Sequence, residues 1–293
     1  MPDFRYHIFY LGLMFLMLGF GVFVGASVIG PAQVRQQTQS IANLRQQTNK
    51  VLQDGDQARD RLAKDEGILA ALRPGRVRGK LAGKRVVVLQ TGDYPDAVTD
   101  ATTAVSDAGA TVVATVVLTR GWGTLNARQR DALDTVAPVG ADPSVQDAVL
   151  LSALAGALSD GTDAGPASAR VLEALQGQGL ITITGDLSQP CGLFVVVGGG
   201  SDETDAPRTD APLLAGFRAS APSARVVGCE PSAAASSSVP AFQTAGIASV
   251  DCVDLPLGQL DLPFAMRGDT GDYGIKPTAR QTLPEALGGA PAP

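Results

Sequence analysis

The feature that most constrains this chain is an uncharged apolar segment near its start, residues 8–29, which reads IFYLGLMFLMLGFGVFVGASVI. As a helix, this segment would be about 33 Å long, enough to cross a hydrocarbon core of about 30 Å. The alternative is a cleaved secretory signal, whose apolar region is usually only about 7–15 residues long. The segment therefore predicts a retained membrane anchor, which we place at residues 1–30.

Small residues in the anchor predict a helix-packing surface. Gly12 and Gly19 are seven residues apart, and Gly21 and Gly25 form a GxxxG pair. Small residues let two helices approach closely in lipid, although glycine is common in membrane helices generally. These four glycines are the first part of a predicted dimer seam.

Residues 31–73 turn polar and helix-favouring, and their apolar residues follow a heptad pattern. With Val34 at position a, eight of the twelve a and d positions are apolar, whereas Gly55 at an a position is a weak point. We expect a coiled-coil stalk that pairs in a parallel homodimer. The alternative is one amphipathic helix lying on its own globular domain. The stalk part of the seam consists of Val34, Ile41, Leu44, Val51, Leu62, Leu69 and Leu72.

The sequence Arg73-Pro74-Gly75 is predicted to end the stalk, and residues 74–83 form a linker. From residue 84 to 275, short β-rich apolar runs alternate with helical segments, which is typical of an open, mostly parallel sheet with helices on both faces. Asn126 and Asp142 stand where helix N-caps are expected. The fold class is therefore α/β, and residues 276–293 are predicted to be a loose tail.

Composition excludes several functions. The 293-residue chain has a net charge of −6, which argues against nucleic-acid binding. Its only histidine is His7, at the membrane edge, and no CxxC motif joins any of its three cysteines. A zinc site, a haem attachment site and a histidine-based catalytic triad are therefore unsupported in the globular part.

No sequence motif indicates a catalysed reaction or an organic cofactor. The run 198–200 is three glycines after a predicted central strand, but no GxGxxG or GK[ST] pattern accompanies it. We therefore expect a turn at this place and neither nucleotide binding nor catalytic residues. The chain is predicted not to be an enzyme.

Two sets of residues are candidate metal ligands. Asp251, Asp254 and Asp261 cluster around Cys252 and offer oxygen ligands, although loop acids and helix caps give the same pattern. Cys229 and Cys252 lie near the ends of two predicted strands, so their thiols are candidates for binding Cu(I) or for a disulfide. Buried, inert cysteine is the alternative.

Six segments stand out in their order along the chain: FLMLGFGVFVGASVIG, LAGKRVVVL, AGATVVATVVLTRGW, SVQDAVLLSALAGAL, SVDCVDLPLGQ and GDYG. Together they resemble the bacterial envelope family named after mycobacterial copper transport protein B, or MctB. The resemblance implies copper homeostasis or transport, and an α/β domain outside the cytoplasm. It also implies a second role, since relatives have been linked to cell separation with a membrane partner.

Three hypotheses follow: a copper-handling envelope protein, a non-enzymatic dimeric scaffold for an envelope or cell-division partner, and an enzyme built on the α/β domain. The fold alone cannot establish the third. Basic residues near the anchor do not decide the topology, because Arg5 precedes it and Arg35, Arg45 and Lys50 follow it. We expect a single-pass membrane protein whose α/β domain is extracytoplasmic.

Overall fold

The computed structural model describes residues 4–25, 30–136, 143–202 and 209–288. The chain divides into two compact units, residues 1–65 and 66–293. The first unit contains helix α1 (Phe4–Val24) and most of helix α2 (Gly30–Val77). Residues 26–29, where the predicted anchor ends, lie outside the described residues.

Helix α1 contains one candidate membrane span, Tyr6–Val24, with a mean hydropathy of 2.1 and no burial by the rest of the chain. Its composition explains this, because apolar side chains surround the helix and leave no polar face. The prediction of one apolar helix able to cross a membrane is therefore confirmed.

The second unit is an α/β fold built on a seven-stranded sheet. Its strands are β1 (Arg85–Gln90), β2 (Thr111–Leu118), β3 (Ile181–Gly185), β4 (Leu193–Val197), β5 (Arg225–Cys229), β6 (Ser249–Val250) and β7 (Asp272–Tyr273). Their spatial order is β3-β2-β1-β4-β5-β6-β7, and only β3 runs antiparallel to its neighbour. This confirms the predicted mostly parallel sheet.

Within the described residues, seven helices lie around this sheet. They are α3 (Pro95–Asp107), α4 (Ala127–Asp134), α5 (Pro143–Asp160), α6 (Pro166–Gly177), α7 (Asp210–Ser220), α8 (Val239–Ala245) and α9 (Pro256–Arg267). Short 3₁₀ turns lie at Thr162–Ala164 and Glu285–Leu287.

The alternation of side chains along the strands produces two cores. Val87 and Leu89 face one core with α4 to α8, whereas Val86 and Val88 face the other with α3 and α9. Every residue of β4 is buried, as expected for a central strand covered on both faces. Helices therefore cover both faces of the sheet, as predicted.

A predicted helix start is confirmed at α4. The Asn126 side chain accepts a hydrogen bond from the Gln129 amide, and the Gln129 side chain accepts one from the Asn126 amide, both at 3.0 Å. This reciprocal pair is a capping box. The other predicted cap, Asp142, lies outside the described residues.

The end of α2 differs from the prediction, because the helix continues through Pro74 to Val77. Tertiary contacts explain this. Arg73 forms an ion pair with Asp107 of α3 at 2.6 Å, and Val77 is fully buried in the second core. The segment predicted as a linker therefore packs against the α/β unit.

The C-terminal segment also differs from the prediction of a loose tail after residue 275. The Arg280 and Gln281 amides both donate to the Asp272 carbonyl, and Leu283 and Leu287 pack against the second core. These contacts join the segment to β7, a two-residue strand that the sequence pattern did not reveal. Residues 289–293 lie outside the described residues.

Candidate functional site

The two cysteines predicted to bind metal lie at one edge of the sheet. Cys229 is the last residue of β5 and pairs in register with Val250, the last residue of β6. Cys252 follows Val250 by two residues, and both cysteines are fully buried. Both are free thiols, so the disulfide that we considered between them is not formed.

Their surroundings favour the protonated thiols. Burial raises the pKa of Cys229 well above its usual value, and the nearby Glu230 carboxylate raises it further. Burial likewise raises the pKa of Cys252, and Asp251, Asp261 and Asp254 add to this increase. Both side chains are therefore neutral thiols at neutral pH, and binding a metal ion would displace their protons.

Two of the aspartates near Cys252 hold loops in place. Asp254 accepts hydrogen bonds from the Ser232 amide and hydroxyl, both at 2.6 Å. Asp251 accepts from the amides of Ile275 at 2.9 Å and Lys276 at 3.1 Å. These bonds fix the connections around the ends of β5 and β6.

The third aspartate, Asp261 of α9, is fully buried, and neither of its carboxylate oxygens has a hydrogen-bond partner. Burial raises its pKa to about 8, with a further contribution from the charge of Asp251. Across the described ranges, no group of three or more His, Cys, Asp and Glu side chains is arranged to hold a metal ion. The cation site predicted from the three aspartates and Cys252 is therefore not formed.

A buried ion pair that the sequence did not reveal lies at the same edge. The Glu230 carboxylate is fully buried and accepts from Lys276 Nζ at 2.7 Å, the Ser237 hydroxyl at 2.8 Å and the Ser238 amide at 2.6 Å. Lys276 Nζ also donates to the Pro231 carbonyl. Forty-six residues separate the partners, and no local pattern indicates such a pairing.

A second buried acid, Asp210, begins α7. The hydroxyls of Ser238 and Thr91 lower its pKa, although neither makes a hydrogen bond of good geometry to it. Burial is the larger effect and raises the pKa to about 6. In the sequence, Asp210 looks like an ordinary acid in the first turn of a helix, so nothing marked it as buried.

The glycine run at 198–200 lies where the strand order reverses, between β1 and β4, a usual place for ligands in open α/β sheets. Here, backbone fills the crevice. The Gly92 amide donates to the Val197 carbonyl, and the Asp93 amide donates to the Gly199 carbonyl. A Cβ at Gly92 would lie 2.4 Å from the Gly199 oxygen, so the run is a packed turn.

Most residues of the predicted dimer seam are not covered by other parts of this single chain. In the apolar segment, a Cβ added at any of the four seam glycines would have no neighbouring atom within 4 Å: Gly12, Gly19, Gly21 and Gly25. In α2, the exposed seam side chains are Ile41, Leu44, Val51, Leu62 and Leu72, whereas Leu69 is half-buried. The side chain of Val34 lies outside what the structure describes. Coiled-coil pairing of this surface stays a prediction.

Comparison with known proteins agrees with the resemblance seen in the sequence. The family model described as "Copper transport outer membrane protein, MctB" matches residues 1–284, which include the apolar helix and the α/β unit. No curated protein sequence matches this chain. Because the family model covers nearly the whole length, the chain belongs to the MctB family of copper transport outer membrane proteins.

Proposed function

We propose that this protein is a membrane-anchored cell-envelope protein of copper homeostasis, and that its α/β unit carries Cu(I) on Cys229 and Cys252. The family match over residues 1–284 is the observation that carries this proposal. The candidate span in α1 supports attachment to a membrane. We also propose that the α/β unit is extracytoplasmic.

The choice of ligands rests on the chemistry of the residues present. Cu(I) is a soft ion that prefers sulfur to carboxylate oxygen. The only histidine of the chain is His7 in α1, and Met266 is the only methionine after residue 17. Cys229 and Cys252 therefore supply the only two sulfur atoms at the carboxyl edge of the sheet.

The electrostatics of this edge favour a bound cation. Glu230 and Asp251 raise the pKa values of the two thiols because negative charge disfavours a thiolate nearby. The same negative charge would stabilise a Cu(I) ion between the sulfurs. Binding would release the thiol protons, so the affinity for Cu(I) should increase as pH rises.

Titration of the full chain with Cu(I), in a non-ionic detergent and under reducing conditions, tests this proposal. A competing Cu(I) chelator that changes colour would report the affinity. We expect tight binding that is lost in Cys229→Ser and in Cys252→Ser. Cys191→Ser is the matched control, because Cys191 is also buried but lies before β4, where its thiol contacts the Arg85 carbonyl.

Absence of tight binding, or equal loss in all three variants, would contradict the copper site. Circular dichroism of each variant would show whether the fold is intact. If a serine variant does not fold, the corresponding alanine variant avoids burying an unpaired hydroxyl.

We propose a non-enzymatic role and a homodimer formed through α1 and α2. The alternative function is a scaffold that recruits or regulates an envelope or cell-division partner. The dimeric part of this scaffold is supported by one observation: apolar side chains such as Ile41, Leu44 and Val51 are exposed along α2, where a second copy of the helix would cover them.

A further inference from the structure

The second unit contains a cavity of about 510 Å³ at the amino-terminal edge of the sheet, opposite the edge that holds Cys229 and Cys252. No acidic side chain is among its lining residues, although the chain as a whole has a net charge of −6. Its five charged lining residues are all basic: Lys80, Lys84, Arg85, Arg225 and Arg267.

The parallel sheet brings the starts of two of these strands to the same edge. Arg85 begins β1 and Arg225 begins β5, and β4 lies between these strands. Leu193 at the start of β4 pairs in register with Arg225, and Phe194 pairs with Val87, two residues after Arg85. The two arginine backbones therefore stand on either side of β4 at nearly the same level, and alternation along the strands directs their side chains to the two faces of the sheet at this edge.

The other basic residues come from the elements that flank this row. Lys80 and Lys84 belong to the connection between α2 and β1, and the Lys80 ammonium lies 5.2 Å from the centre of the Phe264 ring. Arg267 ends α9, where Arg225 Nη2 would lie 3.3 Å from a Cβ at Gly268. Three separate parts of the chain thus direct positive charge towards one cavity.

The five basic residues of the pocket have no ion-pair partner in the part of the chain that the structure describes. None of them lies within ion-pair distance of a carboxylate there, in contrast to Arg73, Lys276 and Arg280. The Nε and Nη2 atoms of Arg85 are buried and have no hydrogen-bond partner. The Asp186 carboxylate accepts hydrogen bonds from Ser188, which lower its pKa, and the charge of Arg85 lowers this pKa by a smaller amount.

We propose that this basic pocket binds an anion that carries several phosphate groups. Buried N–H donors without partners are costly, and an oxyanion would supply the missing acceptors. Each guanidinium group can bind one phosphate through two parallel hydrogen bonds, so Arg85 and Arg225 suit separate phosphate groups of one ligand. The volume lies in the usual range of ligand sites, about 300–1,000 Å³, and so exceeds the needs of one phosphate ion. This binding is independent of the copper proposal.

The test uses the full chain in a non-ionic detergent, with tripolyphosphate as a soluble multivalent probe. We expect saturating tripolyphosphate to raise the melting temperature of the α/β unit by at least about 2–4 °C. Isothermal titration should show saturable binding that weakens with added salt. Arg225→Gln should reduce the affinity at least about tenfold, as expected for loss of one charge-assisted contact.

Arg170→Gln is the matched control, because it removes the same charge from an exposed position on α6, away from the pocket. Arg85→Gln is a second test, and Arg225→Gln remains informative if that more buried variant does not fold. Absence of tripolyphosphate binding to the wild-type chain, or an equal loss in Arg170→Gln, would overturn the proposal.

A second probe distinguishes a free phosphate compound from a lipid headgroup. Glycerophosphoinositol 4,5-bisphosphate carries several phosphate groups and is the headgroup of an anionic lipid without its acyl chains. Stronger binding of tripolyphosphate would identify a soluble polyanion as the ligand class, whereas stronger binding of glycerophosphoinositol 4,5-bisphosphate would identify a headgroup. In both cases, Arg225→Gln should lower the affinity more than Arg170→Gln does.

Discussion

Asp261 is a buried acid near the carboxyl edge of the sheet, and ionising its side chain in the folded protein is costly. Its two oxygens are buried without hydrogen-bond partners, and burial raises its pKa to about 8. An unfolded aspartate has a pKa of about 3.9. The protonated acid is therefore favoured by the folded state. Its stabilising contribution is complete below about pH 4 and is lost as pH rises towards about 8.

We expect Asp261→Asn to remove this pH dependence, because the amide stays neutral at every pH. The free energy of unfolding of the wild-type chain should fall between about pH 5 and pH 8, and the variant should be more stable at pH 8 by roughly 2–5 kcal/mol. Denaturant titrations at several pH values, followed by fluorescence of the single tryptophan, Trp122, would measure this. Trp122 is a suitable reporter because it is buried in the first core.

Asp131→Asn is the control for this measurement. It makes the same chemical change at an exposed position on α4, so its stability should follow the wild-type pH dependence. Parallel curves for the wild type and Asp261→Asn would show that the carboxyl is ionised and solvated in the folded protein, contrary to the prediction.

At the scale of elements, the C-terminal segment is held by two ion pairs of very different burial. Glu230 and Lys276 are 0% and 16% exposed, whereas Arg280, which pairs with Asp272 at 3.3 Å, is 73% exposed. Removing Lys276 leaves the buried Glu230 charge uncompensated. Asp272 is also buried, at 8% exposed, but it keeps hydrogen bonds from Gln243 and Ser249 when the exposed Arg280 is removed. The buried pair should therefore dominate the attachment of this segment.

We expect Lys276→Met to destabilise the protein by roughly 3 kcal/mol and Arg280→Met by less than about 1 kcal/mol. The double variant Glu230→Gln/Lys276→Met should recover part of the loss, because it no longer buries an unpaired carboxylate. Denaturant midpoints of the four proteins provide the comparison. Equal losses in Lys276→Met and Arg280→Met would mean that the segment is held by its backbone and apolar contacts instead.

The difference between local sequence patterns and contacts distant in sequence explains which elements the sequence could predict. Short apolar runs such as those of β1, β4 and β5 indicate strands because they are rich in β-branched residues and too short for helices. β7 has only two residues, too few for any period, and it exists because β6 and Gln281 lie beside it. The continuation of α2 through Pro74 likewise depends on contacts distant in sequence, namely the Arg73–Asp107 pair and the burial of Val77.

For the candidate site, the sequence indicated the position of the thiols but not their environment. Short apolar runs placed Cys229 and Cys252 near the ends of two predicted strands, β5 and β6, where the structure has them. The burial of Glu230 and Asp210 arises from loops that fold back over the carboxyl edge, and sequence periodicity carries no information about them. The basic pocket was missed for the same reason, because Lys80, Arg85, Arg225 and Arg267 are scattered along the chain.

At the scale of the whole molecule, the exposed apolar surface of α2 is the feature that a single chain leaves unexplained. Leu44 and Val51 are 61% and 70% exposed, and they occupy successive d positions of the heptad pattern. In a parallel coiled coil, d residues of the two chains face each other, at a separation compatible with a disulfide. Residues at f positions, such as Gln46 and Gln53, face away from the partner helix.

We therefore expect Leu44→Cys and Val51→Cys to form disulfide-linked dimers on mild oxidation of the full chain in detergent, whereas Gln46→Cys and Gln53→Cys should not. The native cysteines should not interfere, since all three are buried. Non-reducing electrophoresis would show the product at twice the chain mass. Cross-linking at all four positions would indicate random collision, and its absence at Leu44 and Val51 would contradict the parallel seam. Selective cross-linking would show that two chains pair in register along α2, which would place two α/β units in one assembly.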